Sequence, residues 1–197
     1  MKRSPHPTAS PWQDLAARLV FHARGQGKPG CYLVTSCAPR EGKTMVCRHV
    51  ATLAAAPDWR VGVLEIKSPE GEGAVSLERR ESPVAFEADH RLGYAVWTLP
   101  NSFAALPRHA RAPREWLTSF DMMLIDAPVV GSFMQQHLAP LSDGVLLVVD
   151  SRKRRLVEVE RAARAAISNG GTLMGVVLNR HKSPLPRWLD RWGDVPR

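Results

Sequence analysis

The sequence predicts a single α/β domain built on a doubly wound, mostly parallel sheet. Three observations lead to this prediction. Six short apolar runs are nearly continuous, as in strands that are buried on both faces of a sheet. Helical patterns lie between several of these runs, as the crossovers between parallel strands require. The chain has 197 residues, which is enough for one sizeable core and short for two.

The predicted elements begin with a flexible segment at residues 1–11, which is rich in Pro and Ser. Apolar residues at helical spacing predict a helix over 12–24, and a turn rich in Gly separates it from the strand "CYLVTS". The next helix is predicted to begin inside the loop after this strand and to cover 43–56. A second apolar strand follows at 61–66.

The middle of the chain contains a long polar stretch at 67–92, rich in Gly, Glu and Arg, for which we expect loops. A strand is predicted at 93–99 and a short helix at 112–120. The apolar run "MMLIDAP" then predicts a buried strand that ends in a carboxylate.

The last third of the chain contains two further predicted strands, at 143–150 and 173–180. Between them, residues 152–169 have the pattern of an amphipathic helix. Residues 183–197 form a basic tail that contains tryptophan. The domain is therefore expected to span 12–182. The residues expected to face inward from the amphipathic helix are Leu156, Val159, Ala163 and Ala166.

The composition is that of a globular protein with a basic surface. The net charge is +8 and the three cysteines form no even disulfide framework, which favours a reduced, cytoplasmic protein. No apolar run is long enough to span a membrane, and no secretory signal is evident. The charge suggests an anionic partner: a phosphate-rich ligand, nucleic acid, the inner membrane face or an acidic protein. A solvated basic surface is the simpler alternative.

The segment "CAPREGKT" (37–44) follows the first strand and ends in Gly42-Lys43-Thr44. In phosphate-binding loops, backbone N–H groups and a helix N-terminus point at the anion. The lysine reaches the β- and γ-phosphates, and the hydroxyl binds Mg²⁺. The position after an apolar strand supports this interpretation. The residues predicted to surround the nucleotide here are Pro39, Arg40, Glu41, Gly42, Lys43, Thr44 and Met45.

A second candidate for the site is Asp126, at the end of the strand "MMLID". A carboxylate there costs several kcal/mol to bury unless it has a partner. In nucleotide hydrolases that partner is Mg²⁺ with its water shell. Thr44 and Asp126 are therefore the predicted Mg²⁺ ligands. The alternative is an aspartate that caps the turn before Pro128.

The segments "TSCAPREGKTMVCRHVA", "FDMMLIDAPVVGS", "LAPLSDGVLLVVDSRKRR" and "GTLMGVVLNR" resemble those of bacterial tyrosine kinases. These enzymes are P-loop proteins related to the MinD/ParA ATPases and act in exopolysaccharide and capsule biosynthesis. The resemblance covers residues 12–182. It implies ATP and Mg²⁺ as cofactors, with Lys43 and Asp126 as catalytic residues. It also places Asn179, and Arg180 beside it, at the adenine base.

The chain departs from this family at two motifs. Arg40 replaces a glycine before Glu41, and it would be strained by about 1–2 kcal/mol if that position needs a positive φ. The alternative is that Arg40 leans over the phosphates. The family's Asp-x-Asp-x-Arg motif after the second strand is replaced by "EIKSP". Glu65 keeps the first charge and is the candidate substitute base. Lys67 inverts the second charge and would repel Mg²⁺, although it could contact a phosphate. Pro69 removes the basic residue.

The sequence allows three interpretations of function. The first is an active ATP-dependent tyrosine kinase, and the second is a nucleotide-binding scaffold without catalysis. The third, a MinD/ParA-type positioning ATPase, is disfavoured because Ala38 stands where those proteins have their signature lysine. The tail lacks the family's tyrosine cluster, and the N-terminal Glu-x-x-Arg-x-x-Arg subunit contact is missing. We therefore expect a divergent or weakly active kinase relative that regulates polymer assembly.

The resemblance also implies a partner, a membrane-spanning chain-length regulator of polysaccharide assembly. A homo-oligomer is a further possibility. Trp188 and Trp192 in the tail either dock on a membrane adaptor or a lipid interface or pack back onto the domain, and the second is preferred. Nucleic acid is disfavoured because no element for reading a groove is evident. The run "SRKRR" (151–155) places Arg152 or Lys153 near the nucleotide or on a solvated turn. Cys37 is either a redox-sensitive thiol or a small loop residue, and the second is preferred.

Overall fold

The computed structural model describes residues 10–67, 92–98 and 120–181. The described residues form a six-stranded sheet in which all neighbouring strands are parallel. The strands are β1 (Gly30–Ser36), β2 (Val61–Lys67), β3 (Leu92–Thr98), β4 (Met122–Asp126), β5 (Gly144–Asp150) and β6 (Leu173–Asn179). Their order in the sheet is β3-β2-β4-β1-β5-β6. The parallel α/β architecture predicted from the sequence is confirmed.

Four helices accompany the sheet in the described parts of the chain, together with a short 3₁₀ helix at Ala139–Leu141. The helices are α1 (Pro11–Gly25), α2 (Lys43–Ala54), α3 (Phe133–Leu138) and α4 (Leu156–Ser168). The short helix α3 was not predicted. Ser10 caps α1 through a capping box with Gln13, which fixes where that helix begins.

The start and the orientation of α4 differ from the prediction. The backbone N–H of Lys153 donates to the carbonyl of Asp150, so the chain first makes a turn and the helix begins four residues later than expected. The prediction that Leu156 faces inward is wrong. Leu156 is the first residue of the helix, and its side chain is 72% exposed. Ala162 and Ala166, one helical turn apart, are the buried residues of α4.

Several predicted segments lie outside the described residues. They are the N-terminal segment up to residue 9, most of the polar stretch at 67–92, the helix at 112–120 except its last residue, and the basic tail. Within the described ranges, no helix has both the length and the apolar character that crossing a bilayer requires.

Helices cover both faces of the sheet, as its continuous apolar strands require. On one face, Leu19 of α1 and Val50 of α2 pack in a cluster with Leu124 of β4. On the other face, Leu138 of α3 and Ala166 of α4 belong to a second buried cluster. Because all neighbouring strands are parallel, their carboxyl ends lie at the same edge of the sheet. Sheets of this type bind ligands at that edge.

Candidate nucleotide-binding site

The loop between β1 and α2 covers residues 37–42 and opens directly into the helix. Gly42 is the N-cap of α2 and has a φ of +98°, a conformation that favours glycine. A Cβ atom at this position would also clash with the side-chain amide nitrogen of Asn179. No side chain caps α2, and its first turn contains no acidic residue. The start of the helix is therefore electrostatically suited to a phosphate group.

Arg40 lies two residues before Gly42 and also has a positive φ, of 64°. The sequence predicts strain if this position adopts a left-handed conformation, and the structure shows that it does. An arginine in this conformation costs about 1–2 kcal/mol relative to a right-handed one. The loop therefore contains local strain that surrounding contacts must compensate.

Lys43 and Thr44, the first two residues of α2, both point to the end of the sheet. The Lys43 ammonium donates to the Ser36 hydroxyl at 3.1 Å, and that hydroxyl donates to the Ala38 carbonyl at 2.7 Å. The Thr44 hydroxyl donates to the carboxylate of Asp126. The structure thus brings together the two residues predicted to bind Mg²⁺.

Asp126 ends β4 and is almost completely buried. Burial raises its pKa, and nearby Glu65 raises it further, whereas the Thr44 hydrogen bond and the Lys43 charge lower it. The ionised carboxylate therefore lacks part of the solvation it would have in water. A divalent cation beside Asp126 would supply that missing stabilisation.

Glu65 lies in β2, directly opposite Asp126 in the strand register. Its Oε2 atom is 3.7 Å from the Arg48 guanidinium of α2. The structure therefore places the candidate substitute base beside the candidate metal ligand, with a cation next to it. Lys67 is the last residue of β2 and pairs with Thr98 in register; its side chain is outside the described part of the structure.

Asn179 and Arg180 are predicted to lie at the adenine. Asn179 ends β6 and contacts the loop, and Arg180 follows it and contacts β5. The Asn179 amide donates to the carbonyl of Glu41 at 2.8 Å, and its oxygen accepts from the N–H of Arg180 at 2.8 Å. Arg180 has a φ of 56°, and its guanidinium donates to Asp150 at 2.8 Å. Asn179 therefore joins the end of β6 to the phosphate loop.

Two residues of this edge were not predicted from the sequence, Asp150 and Arg154. Asp150 ends β5, is fully buried, and has its pKa lowered to about 2, chiefly by the hydrogen bond from Arg180. The signal that identified Asp126, a carboxylate at the end of a buried strand, also applies to Asp150. Arg154 donates to Glu41 at 2.6 Å, so the basic run reaches the loop through this residue, while Arg152 binds Asp150.

The residues present fit Mg²⁺ and a nucleoside triphosphate. Among the described residues, no group of three or more His, Cys, Asp or Glu side chains could hold a metal alone. Mg²⁺ typically binds one or two protein oxygens and completes its shell with phosphates and water. The Thr44 hydroxyl and the Asp126 carboxylate match that pattern.

Cys37, in the same loop, does not have the properties of a reactive thiol. Burial, together with the charge of Glu41, raises the pKa of its thiol to about 11. At neutral pH the thiol is therefore protonated and a poor nucleophile. The raised pKa favours the preferred interpretation of Cys37 as a small loop residue, and its side chain packs partly buried beside Leu147 and Val149.

No protein-family model and no curated protein matches the chain. Among solved structures, it is similar to the BceF tyrosine kinase domain, with a TM-score of 0.66, 19% identity, and coverage of 85% of this chain and 75% of that one. The chimerical protein CapA2B2 gives a TM-score of 0.68 at 20% identity, covering 91% and 87%. The kinase domain of the Escherichia coli tyrosine kinase Etk gives 0.62 at 15% identity, covering 94% and 88%. The chain therefore has the P-loop fold of bacterial tyrosine kinase domains.

Proposed function

We propose that this chain binds ATP with Mg²⁺ and is a divergent, weakly active relative of bacterial tyrosine kinases. The observation that carries the proposal is the hydrogen bond between the Thr44 hydroxyl and the buried Asp126 carboxylate. This contact joins the start of α2 to the end of β4. It lies beside the loop that ends in Gly42, where no side chain caps α2. A hydroxyl and a carboxylate in this position suit a phosphate-bound magnesium ion.

In the proposed complex, the Lys43 ammonium exchanges its Ser36 partner for oxygens of the β- and γ-phosphates. The N–H groups at the start of α2 donate to the same phosphates. Thr44 and Asp126 hold the Mg²⁺ ion, which neutralises phosphate charge. Asn179 and Arg180, at the end of β6, are assigned to the adenine side of the site. Pro39, Arg40, Glu41 and Met45 complete the nucleotide surroundings.

Weak turnover is the second part of the proposal. Transfer of a phosphoryl group to a hydroxyl needs a carboxylate that orients that hydroxyl. Glu65 is the candidate, but the Arg48 guanidinium lies 3.7 Å from it and competes for its oxygens. Lys67 adds a second positive charge where the resembling kinases have a carboxylate. Both features favour nucleotide binding with slow phosphoryl transfer over rapid catalysis.

The biological role we propose rests on the resemblance to the polysaccharide-assembly kinases. The chain would act at the inner face of the cell membrane, with a separate membrane-spanning chain-length regulator as its partner. A net charge of +8 supports an anionic surface nearby. Nucleotide occupancy would then regulate polymer assembly even where turnover is slow.

The binding proposal is tested by calorimetric titration of the full chain with ATP, with and without Mg²⁺. Lys43→Ala should weaken ATP binding by about 100-fold, because a charge-assisted contact to phosphate is lost. Lys28→Ala is the matched control, since Lys28 precedes β1 and pairs with Asp143, away from the loop. Equal affinity of Lys43→Ala and the wild type would overturn the proposed site.

The role in polysaccharide assembly needs a cellular experiment. Replacing the native gene with the Lys43→Ala allele should change the amount or the length of surface polysaccharide, while the Lys28→Ala allele should not. Unchanged polymer in cells that make the Lys43→Ala protein at normal levels would contradict this role, without affecting the binding proposal.

A further inference from the structure

We propose that Arg154 is a positioning residue that holds the phosphate loop in its binding conformation by clamping the carboxylate of Glu41. The inference rests on the proposed nucleotide function, since it concerns the loop of that site. It assigns a role to one member of the basic run at 151–155.

The contact that carries the proposal is a buried ion pair. Glu41 is 1% exposed, so its carboxylate depends on protein partners. Its Oε1 atom accepts from Arg154 Nε at 2.6 Å, and its Oε2 atom accepts from the backbone N–H of Ala38 at 3.2 Å. The side chain therefore closes the loop on itself and joins it to the connection between β5 and α4.

Arg154 is itself anchored on α4. Its Nη1 atom donates to Glu158 at 3.2 Å, and the other oxygen of Glu158 accepts from the backbone N–H of Arg155 at 2.9 Å. Arg154 is partly buried, whereas Arg152, Lys153 and Arg155 are exposed. The guanidinium is thus fixed on a rigid element before it reaches the loop.

The loop needs such a clamp because of its backbone. Arg40 and Gly42, on either side of Glu41, both have positive φ values, and Arg40 is not suited to that conformation. The Glu41 carbonyl also accepts the Asn179 amide, so a shift of Glu41 would disturb both the phosphate loop and the end of β6. We infer that the Arg154–Glu41 pair compensates the strain at Arg40.

The first test is hydrogen–deuterium exchange of the nucleotide-free full chain. Arg154→Ala should speed exchange of the amides at 37–44 by at least about tenfold, since a charge-assisted hydrogen bond to a buried group is lost. Arg164→Ala is the matched control, because Arg164 lies on the same helix and pairs with Glu160 on its exposed face. Unchanged exchange at 37–44 in Arg154→Ala would overturn the inference.

The second test uses ATP affinity and a rescue. Arg154→Ala should weaken ATP binding by about tenfold, and Arg40→Gly in the same chain should restore most of that loss by removing the strain. Arg40→Gly alone is the reference, because it removes the same strain with Arg154 in place. An equal gain in affinity with and without Arg154 would mean that the effects are additive, which would contradict the inference. If Arg154→Ala does not fold, Glu41→Gln replaces it, because it keeps the side-chain volume. Glu41→Gln should also speed the exchange of the amides at 37–44.

The two proposals fail in different ways. A wild-type chain that binds no ATP would overturn the proposed function, and the exchange experiment would still decide whether Arg154 holds the loop. A wild-type chain that binds ATP, with Arg154→Ala unchanged in both exchange and affinity, would overturn the positioning role alone.

Discussion

The strands β4 and β2 are neighbours in the sheet and end at the same edge, yet they differ in the residues they present there. β4 ends in Asp126, whose carboxylate is bonded to Thr44 at the start of α2. β2 carries Glu65, which lies near Arg48, and ends in Lys67. In the proposed function, the first region holds the phosphates and the metal. The second has Lys67 where the resemblance to the kinases implies a second carboxylate.

Under the proposed function, nucleotide binding and turnover would depend on separate strands. The two strands are nevertheless close, because Glu65 and Asp126 are register partners and the charge of Glu65 raises the pKa of Asp126. Substitutions at one strand should therefore change one property strongly and the other weakly.

The largest effect is expected at β4. Asp126→Asn should remove the gain in ATP affinity that Mg²⁺ provides, a loss of about 100-fold or about 2.7 kcal/mol, since a metal-binding charge disappears. Calorimetry with Mg²⁺ and with a chelator measures this gain. Asp121→Asn should keep it, because Asp121 lies directly before the opposite end of β4, where it accepts from the N–H of Arg60. Persistence of the gain in Asp126→Asn would place the metal elsewhere.

A smaller gain in function is expected at β2. Lys67→Asp should raise Mg²⁺-dependent ATP turnover by about tenfold, because it replaces a repelling charge with a carboxylate of the type the resembling kinases have. Phosphate release and tyrosine phosphorylation of an added peptide are the measurements. Lys67→Ala separates removal of the charge from addition of the carboxylate. Turnover that stays at the wild-type level in both variants would show that β2 is not what limits catalysis.

The two buried carboxylates at this edge should respond oppositely to pH. The pKa of Asp150 is lowered from 3.8 to about 2, so its ionised form stabilises the fold above the unfolded value, and this stabilisation disappears as the pH falls toward 2. Asp150→Asn should lower the melting temperature by a few degrees at pH 7. Melting curves from pH 2 to pH 7 test this, and a constant difference across that range would contradict it.

The smallest effect is expected at Asp126, where stability should depend on pH in the opposite direction to that at Asp150. Its raised pKa means that the folded chain binds the proton more tightly than the unfolded chain, so stability decreases as the pH rises through the raised value. Without nucleotide, Asp126→Asn should therefore melt slightly above the wild type at neutral pH, by at most a few degrees. A variant that melts lower at pH 7 than the wild type would show that the ionised carboxylate is net stabilising.

Much of the fold could be predicted from the sequence because its signals are local. Strands buried on both faces are continuously apolar, and the loop after β1 has its residues in one short stretch. The contact between Thr44 and Asp126 joins residues that are 82 apart in the sequence. Thr44 lies in the first turn of α2 and Asp126 ends β4, and both belong to known motifs, so their contact was predictable.

Contacts without a local pattern were not predictable. Arg154 and Glu41 are 113 residues apart, and nothing in "SRKRR" distinguishes the one arginine that turns toward the loop. The prediction of the inward-facing residues of α4 was wrong at Leu156. The turn held by the carbonyl of Asp150 delays the start of the helix, so Leu156 becomes its first residue. The short helix α3 has too few residues for a periodic pattern.

The most direct test of this division between the strands is a single experiment on the wild-type chain. ATP and Mg²⁺ are titrated in a calorimeter, and phosphate release is followed in the same samples. We expect saturable, Mg²⁺-dependent binding with turnover below about 0.01 s⁻¹, about a hundredfold under the slow end of typical kinases. Turnover in the usual range of kinases, or no binding of ATP, would contradict the proposed division between β4 and β2.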